Sequence, residues 1–525
     1  MGLLRELFRT RNPEPAPAEG AGLRRVLGWV DLSVLGIGAV IGTGIFVLTG
    51  VGAARYAGPG VTLSFLLAGL VAGLAALVYA ELAAMVPVSG SAYTFAYAAL
   101  GEIVAWVIGW NMILEYAVAG GAVAIGWGSY LVDLLRAAGV TLRPALTEPP
   151  PAGLVNLPAM LVSVAVTALV ALGTRESARA NRVMVGLKLA VVLLFLAVGI
   201  RFVDPANWRP LLPFGWAGVA RGAAIIFFAY VGFDAVATAA EEVRSPERDV
   251  PRGILGALVV ATSLYLAVSL VLTGMVPYPR LDTASPVAMA LLAHGQRLAA
   301  GVVSAGAEVG LLSVLIAVTF AQSRIFFSMS RDGLLPPIFS RVHPRTGTPL
   351  AGTLLTGAVA VVIGGFLPIS VVAELANIGT LSAFVAVGLG VWVLRRTRPE
   401  ARRPFRTPGM PWTALGVVVS SLYLMSRLPV LTWTRFGVWL AIGLAVYFAY
   451  GRRHSLLARP ARAPREPRAP AAPAEPVQGD GVPAWTPPVP PAAPGPAPEP
   501  ARASWAPPAD AAGPGGAPTG HPPGP

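Results

Sequence analysis

The chain has 525 residues, 55% hydrophobic and only 12% charged, with a mean hydropathy of +0.67. Soluble domains carry about 25% charged residues, and at this length a soluble chain needs polar surface for two or more domains, so the composition excludes that class and points to a polytopic membrane protein. Cysteine is absent, which excludes disulfides, thiolate metal sites and a Cys nucleophile, and the net charge of +13 lies in loops and in the tail, as membrane topology predicts and nucleic-acid binding does not.

In chain order, residues 1–28 form a short polar segment with five arginines and no signal-peptide pattern. A transmembrane transporter domain is predicted over 29–452. Its apolar runs, each long enough to cross ~30 Å of hydrocarbon, fall near 31–53, 62–85, 102–132, 155–174, 183–202, 217–240, 253–276, 299–329, 350–367, 371–394, 411–428 and 434–450, twelve in all. With the N-terminus inside, the cytoplasmic segments before the tail hold 21 arginines and the outer ones 10, which places both termini in the cytoplasm of a multi-pass protein of the cell inner membrane. Residues 453–525 turn to Pro, Ala and Gly, a composition that buries no core and reads as a disordered cytoplasmic tail.

Two of the apolar runs are interrupted. The first, DLSVLGIGAVIGTGIFVLTGVG, places glycines on several helix faces and a Gly-Thr-Gly at 42–44, where an unwound segment is expected. The sixth, GAAIIFFAYVGFDAVATAAEE, carries Gly232 in mid-run, then Asp234 as a cap for a restarting helix. The two lie five runs apart, and an odd repeat enters the membrane from the opposite side. Matching interruptions in two such halves point to a substrate site at the midplane of a secondary transporter.

At these residues the chain resembles the amino acid–polyamine–organocation superfamily, and within it the bacterial permeases similar to the cationic amino acid transporters. The stretches that carry the resemblance are GIGAVIGTGIFVLTG, PVSGSAYTFAYAALGEIVAWVIGWNMILEY at 87–116, FFAYVGFDAVATAAEEVRSPERDVPRGI at 227–254 and SRDGLLPPIFSRVHPRTGTP at 330–349, and it extends over roughly 25–450. Asn111 is a local departure, where many relatives are expected to carry Asp. The resemblance implies an all-α membrane fold of twelve helices with a five-plus-five inverted repeat, broken helices 1 and 6, and two peripheral final helices. It also implies uptake of amino acids by alternating access, commonly driven by protons.

A zwitterionic substrate needs both of its charges satisfied away from water. The unwound backbone of the first run offers N–H groups at Thr43, Gly44 and Ile45, beside a helix N-terminus of positive character, for the carboxylate. The resemblance assigns the ammonium to carbonyls at Val40, Phe228 and Val231, and makes Phe228 a cover over the substrate. The binding residues expected are thus Val40, Ile41, Gly42, Thr43, Gly44, Ile45, Phe228, Ala229, Val231 and Gly232. Small or apolar walls, Ala39, Ile41, Ala229, Gly232 and Ala235, favour neutral substrates such as alanine. Glu115, a carboxylate in mid-run, is the candidate for side-chain recognition or coupling and keeps a cationic substrate, or amino acid exchange, as the alternative.

Of 39 basic residues 38 are arginine and one, Lys188, is lysine, inside the apolar run VGLKLAVVLLFLAVG. Arginine stays charged, whereas a buried lysine is able to give up its proton. Lys188 is therefore predicted to be the proton-coupling residue. Related proton-driven members are similar here, with a lysine ammonium where sodium sits in sodium-driven relatives. Snorkelling to the interface is the plain alternative. Four scattered histidines (His294, His343, His454, His521) have no metal-ligand spacing, no cofactor motif or catalytic cluster appears, and no GxxxxGK[ST] marks an ATP-driven pump. A carrier, not an enzyme, is expected, with amino acid, proton and lipid bilayer as its partners and no nucleic acid.

Overall fold

Backbone N–H and C=O groups in hydrocarbon have no water to bond, so a membrane segment must satisfy them internally, and a helix does so within one run. The computed structural model describes Arg9 and residues 27–85, 91–173, 178–238, 243–283 and 285–458. Among these the chain is helical, with one isolated bridge, Leu27 to Val243, and no strand. The principal helices are α1 (Trp29–Val40), α2 (Val61–Met85), α3 (Ser91–Ala99), α4 (Glu102–Ala137), α5 (Leu157–Ala171), α6 (Ala178–Gly199), α7 (Gly215–Ile226), α8 (Pro246–Met275), α9 (Pro286–Ala293), α10 (Arg297–Arg331), α11 (Leu350–Phe366), α12 (Ile369–Thr397), α13 (Trp412–Ser426) and α14 (Val430–Val446). Every apolar run read from the sequence carries helix over most of its length. Helices α3 and α9 were not anticipated, because each is too short to stand out as an apolar run.

By length and composition, seven helical stretches among the described residues are able to cross a membrane, and five shorter apolar helices accompany them. One of the seven, Gly44–Met85, is continuous in helix across Gly58-Pro59-Gly60, a 3₁₀ turn where Gly58 has φ +63° and packs so closely that a Cβ would lie 2.3 Å from Pro213 Cγ. Helices α1 and α2 pack on α8; α4 packs on α5, α10, α11 and α12; α6 packs on α1 and α10; and α13 and α14 lie against α12. Burial follows these contacts rather than an amphipathic stripe, since both lipid and core are apolar.

Three carboxylates near helix ends are fully held. Glu81 on α2 accepts two hydrogen bonds from Arg395 (Nε to Oε1 3.0 Å, Nη2 to Oε2 2.6 Å) and one from the Thr407 N–H at 2.7 Å, with Arg403 Nε 3.5 Å away. Glu102, at the start of α4, accepts from the hydroxyls of Tyr97 (3.2 Å), Tyr447 (3.0 Å) and Ser455 (2.5 Å). Glu374 accepts from Thr432 at 2.6 Å. The segment after α14 is held there too: the Leu456 N–H donates to the Asp332 carbonyl at 3.1 Å, and Arg9 donates to the Leu457 carbonyl at 3.3 Å. Most of the N-terminal segment, residues 86–90, Arg175 and the Pro-rich tail beyond 458 lie outside the described residues.

Candidate functional site

Helix α1 stops at Val40, and Ile41 is extended (φ −75°, ψ 100°). The chain bends at Ile41–Gly42 and resumes helix at Thr43, entering a π-helical turn over Gly44–Leu48. The break thus sits one residue earlier than the Gly42–Gly44 expected, because Gly42 serves as the cap: its carbonyl accepts from the N–H of Ile45 (3.2 Å) and of Phe46 (3.3 Å). Ile45 therefore has no amide to offer a ligand. The N–H groups of Gly42, Thr43 and Gly44, the orphan donors of a helix start, have no partner among the described residues.

The second interruption is longer. Helix α7 ends at Ile226, a 3₁₀ turn covers Phe227–Tyr230, Val231 is extended (φ −63°, ψ 135°), Gly232 takes φ +108°, and helix returns at Ala235–Thr238. The positive φ is the reason for glycine at 232. The Phe228 carbonyl, expected to be open, accepts the Val231 N–H at 3.1 Å inside that turn. Carbonyls released one turn earlier find Asn377 of α12, whose Nδ2 donates to Ala224 O (2.7 Å) and Ile225 O (2.8 Å). Asp234 sits just before the restarting helix; its carboxylate accepts from Tyr116 of α4 at 3.3 Å.

The two breaks lie against each other. A Cβ on Gly44 would fall 2.4 Å from both Cα and Cβ of Ala229, and one on Gly232 would fall 3.2 Å from the Ala39 carbonyl. Tyr265 of α8 braces the junction: its hydroxyl stands 2.8 Å from Val40 O and 2.7 Å from Ala229 O. It has one proton, so it donates to one carbonyl at a time. The Val40 carbonyl assigned to the substrate ammonium is thus next to a protein hydroxyl. Ile41, Thr43, Gly44, Ile45, Phe228 and Ala229 are all buried, and Val231 and Gly232 are half-buried. Thr43 Oγ1, abutting Gly126 of α4, has no hydrogen-bond partner among the described residues, and Val314 of α10 packs on Gly42.

Lys188 is 0% exposed, and its Nζ donates to the Gly38 carbonyl of α1 at 2.8 Å. A lysine at the interface would reach water; this one reaches into the bundle toward the last turn of α1 before the break. Its carbon chain lies on Gly310 of α10, where a Cβ would be 3.0 Å from Lys188 Cγ. Glu115 is buried on α4, next to Gly379 of α12. Asn111, one turn away, donates to Ser382 of the same helix at 3.0 Å.

Tyr265 and Asn377 are the members of this site that sequence reasoning missed. Each is a lone polar residue in a long apolar run, and nothing in a single sequence tells such a residue from one that bonds within its own helix. No group of three or more metal-ligating side chains occurs among the described residues.

The model of the amino acid permease family matches residues 27–448. The chain is 48% identical over 456 residues to a methylthioribose transporter of Bacillus subtilis and 46% identical over 460 residues to the branched-chain amino acid permease BcaP of the same organism; each alignment covers 86% of this chain and 99% of the relative. It is 32% identical to human cationic amino acid transporter 4, with 86% of this chain and 91% of that protein aligned. The family match spans both breaks and the helices that frame them, and the chain belongs to the amino acid permease family of the amino acid–polyamine–organocation superfamily.

Proposed function

We propose that this chain is a secondary transporter that takes neutral amino acids across the cell inner membrane by alternating access, coupled to protons at Lys188. In this reading the polypeptide crosses the bilayer twelve times, with α1 and the 44–57 segment as one broken crossing and α7 to Thr238 as the other, inverted relative to it. Both termini face the cytoplasm, in accord with the arginine distribution. The observation that carries the proposal is the pair of breaks packed together with the unpartnered N–H groups of Gly42, Thr43 and Gly44 at a helix start. A substrate carboxylate suits those donors. The ammonium suits the carbonyls of Val231 and of Val40, the latter on displacing the Tyr265 hydroxyl, while Phe228 covers the site.

Substrate class follows from the walls. Ala39, Ile41, Ala229, Gly232 and Val314 offer no charge, which favours a neutral side chain. The branched-chain permease among the relatives agrees with an uncharged, small to medium side chain. The methylthioribose transporter favours a second reading, an uncharged thio-sugar that uses the same break without an ammonium.

Coupling follows from Lys188. Protonated, its ammonium ties α6 to the Gly38 carbonyl and holds the end of α1 in place. Without the proton the charge-assisted bond is lost, α1 and α6 separate, and the inner path opens. Counterflow of radiolabelled L-alanine and L-leucine in proteoliposomes, with the remaining amino acids and methylthioribose as competitors, tests the reading. Saturable exchange blocked by neutral amino acids supports it. Exchange blocked tenfold better by arginine, or by methylthioribose alone, overturns the substrate assignment.

A further inference from the structure

We infer that Glu308 of α10 is a second proton-accepting group in the transport cycle, placed between the Asp133 end of the bundle and the break at Gly42. The inference rests on the reading of Lys188 as the coupling residue and adds the group through which protons enter from outside. Glu308 is 9% exposed, and neither of its carboxylate oxygens has a hydrogen-bond partner among the described residues. Three other buried glutamates are held: Glu81 by Arg395 and Thr407, Glu102 by three hydroxyls and Glu374 by Thr432. A buried ionised carboxylate without partners costs several kcal/mol, and a proton is the smallest species that removes the charge. Inside a membrane such a group is functional by default.

Its position gives the path. Glu308 and Gly310 point to different sides of α10, two residues being 200° apart on a helix. The Gly310 side carries the Lys188 chain. Leu315, two turns on and on the same side of α10 as Glu308, packs on Gly120 of α4, so Glu308 faces the helix that carries Tyr130 and Asp133. The Tyr130 hydroxyl donates to the Phe46 carbonyl at 2.9 Å. Gly126, Tyr130 and Asp133 are spaced along one face of α4, and Gly126 is where the unpartnered Thr43 hydroxyl abuts. Polar groups thus run from the helix end to the substrate break, with Glu308 beside them. On the helices packed against α10, the charged and titratable groups toward this end are Tyr130, Asp133 and Arg136 of α4, the last paired with Asp133 at 3.0 Å, and, on the opposite side, Lys188 of α6; Ser285 donates to Asp133. Helices α5, α9 and α11 and the 44–48 turn contain no titratable residue, and Asp31 of α1 sits at the far end of that helix. The step is transfer of one proton from hydronium to a carboxylate oxygen, leaving water, and it reverses when the proton moves on.

The test uses the full chain in proteoliposomes that enclose a pH-sensitive dye, with L-leucine and L-alanine as probes. Proton entry on substrate addition is measured beside counterflow, in wild type, Glu308→Gln and Glu308→Asp. Glu308→Gln, an uncharged isostere, is expected to keep counterflow within about twofold and to lose proton entry at least about tenfold, while Glu308→Asp retains both. Proton entry at the wild-type ratio in Glu308→Gln overturns the inference and leaves the role of Lys188 intact. Parallel loss of counterflow and proton entry in Glu308→Gln, in protein that remains monodisperse, makes the residue structural and overturns it too. Wild-type counterflow without proton entry removes the coupling reading, and the inference with it.

Discussion

Glu81 and Lys188 are both 0% exposed, yet their surroundings differ in kind. Glu81 is enclosed by full charges and a backbone amide: Arg395 grips it with two nitrogens, Arg403 stands at 3.5 Å and Thr407 adds its N–H. Those partners come from α12 and the loop after it, so the cluster ties that loop to α2. Lys188 donates to a neutral carbonyl, Gly38 O, at the end of a helix that is interrupted three residues later. A charge ringed by opposite charges is built to stay ionised. A charge held by a helix-end carbonyl is able to leave with its proton. The same burial therefore serves anchorage at one end of the bundle and, on our reading, switching at its centre.

Substitutions at the centre should separate transport from folding, and those at the anchor should not. Gly44→Val would set a Cβ 2.4 Å from both Cα and Cβ of Ala229 and force the two breaks apart, an overpacking of about 1–3 kcal/mol; uptake is expected to fall about 100-fold or more, with expression unchanged. Normal uptake by that variant would show that the junction is not the substrate site. Lys188→Ala should lose uphill uptake driven by a pH gradient, Lys188→Arg should fail to restore it, and sodium should change nothing in either. Full gradient-driven uptake by the arginine variant removes titration from the mechanism.

At the anchor, Glu81→Gln leaves Arg395 and Arg403 without their counter-charge. Arg395 is about a quarter exposed, so the loss should lie near the lower end for a broken buried pair, about 3 kcal/mol, read as a fall in thermal stability with the coupling ratio unaltered. Tyr265→Phe removes one hydroxyl between Val40 O and Ala229 O; about 1 kcal/mol of stability should be lost, and substrate affinity should change more than it does in Glu81→Gln. The smallest effect is expected at the exposed pair Arg55–Asp282 (3.0 Å), where Arg55→Ala should cost no more than about 0.5 kcal/mol and shrink further in high salt.

The glycines of the first run and Gly232 announced two interruptions, and the structure places them in contact. Periodicity did not fix which amides and carbonyls stay open. Gly42 caps the restarting helix and uses the Ile45 amide, and the 3₁₀ turn closes the Phe228 carbonyl. Both depend on local turn geometry that hydropathy does not encode. The lone lysine among arginines was legible from composition, and its burial against Gly38 agrees with a place at the first break. Tyr265 and Asn377 were not legible, because their roles come from which neighbouring helix they meet. Glu308 falls inside the apolar run at 299–329, but only the absence of partners for its oxygens, among the described residues, sets it apart from Glu81 or Glu374.

The docking of Ser455 and Leu456 has a practical side for protein engineering. The Ser455 hydroxyl and the Leu456 amide reach back to Glu102 and Asp332, so the packed unit extends past the end of α14 at Val446. A truncation or fluorescent fusion placed after Gly451 strips one of the three hydroxyls from Glu102 and uncovers Gly333, whose backbone presses on the His454 carbonyl. The same junction moved beyond Ala458 removes only Pro-rich sequence and leaves every one of those contacts in place.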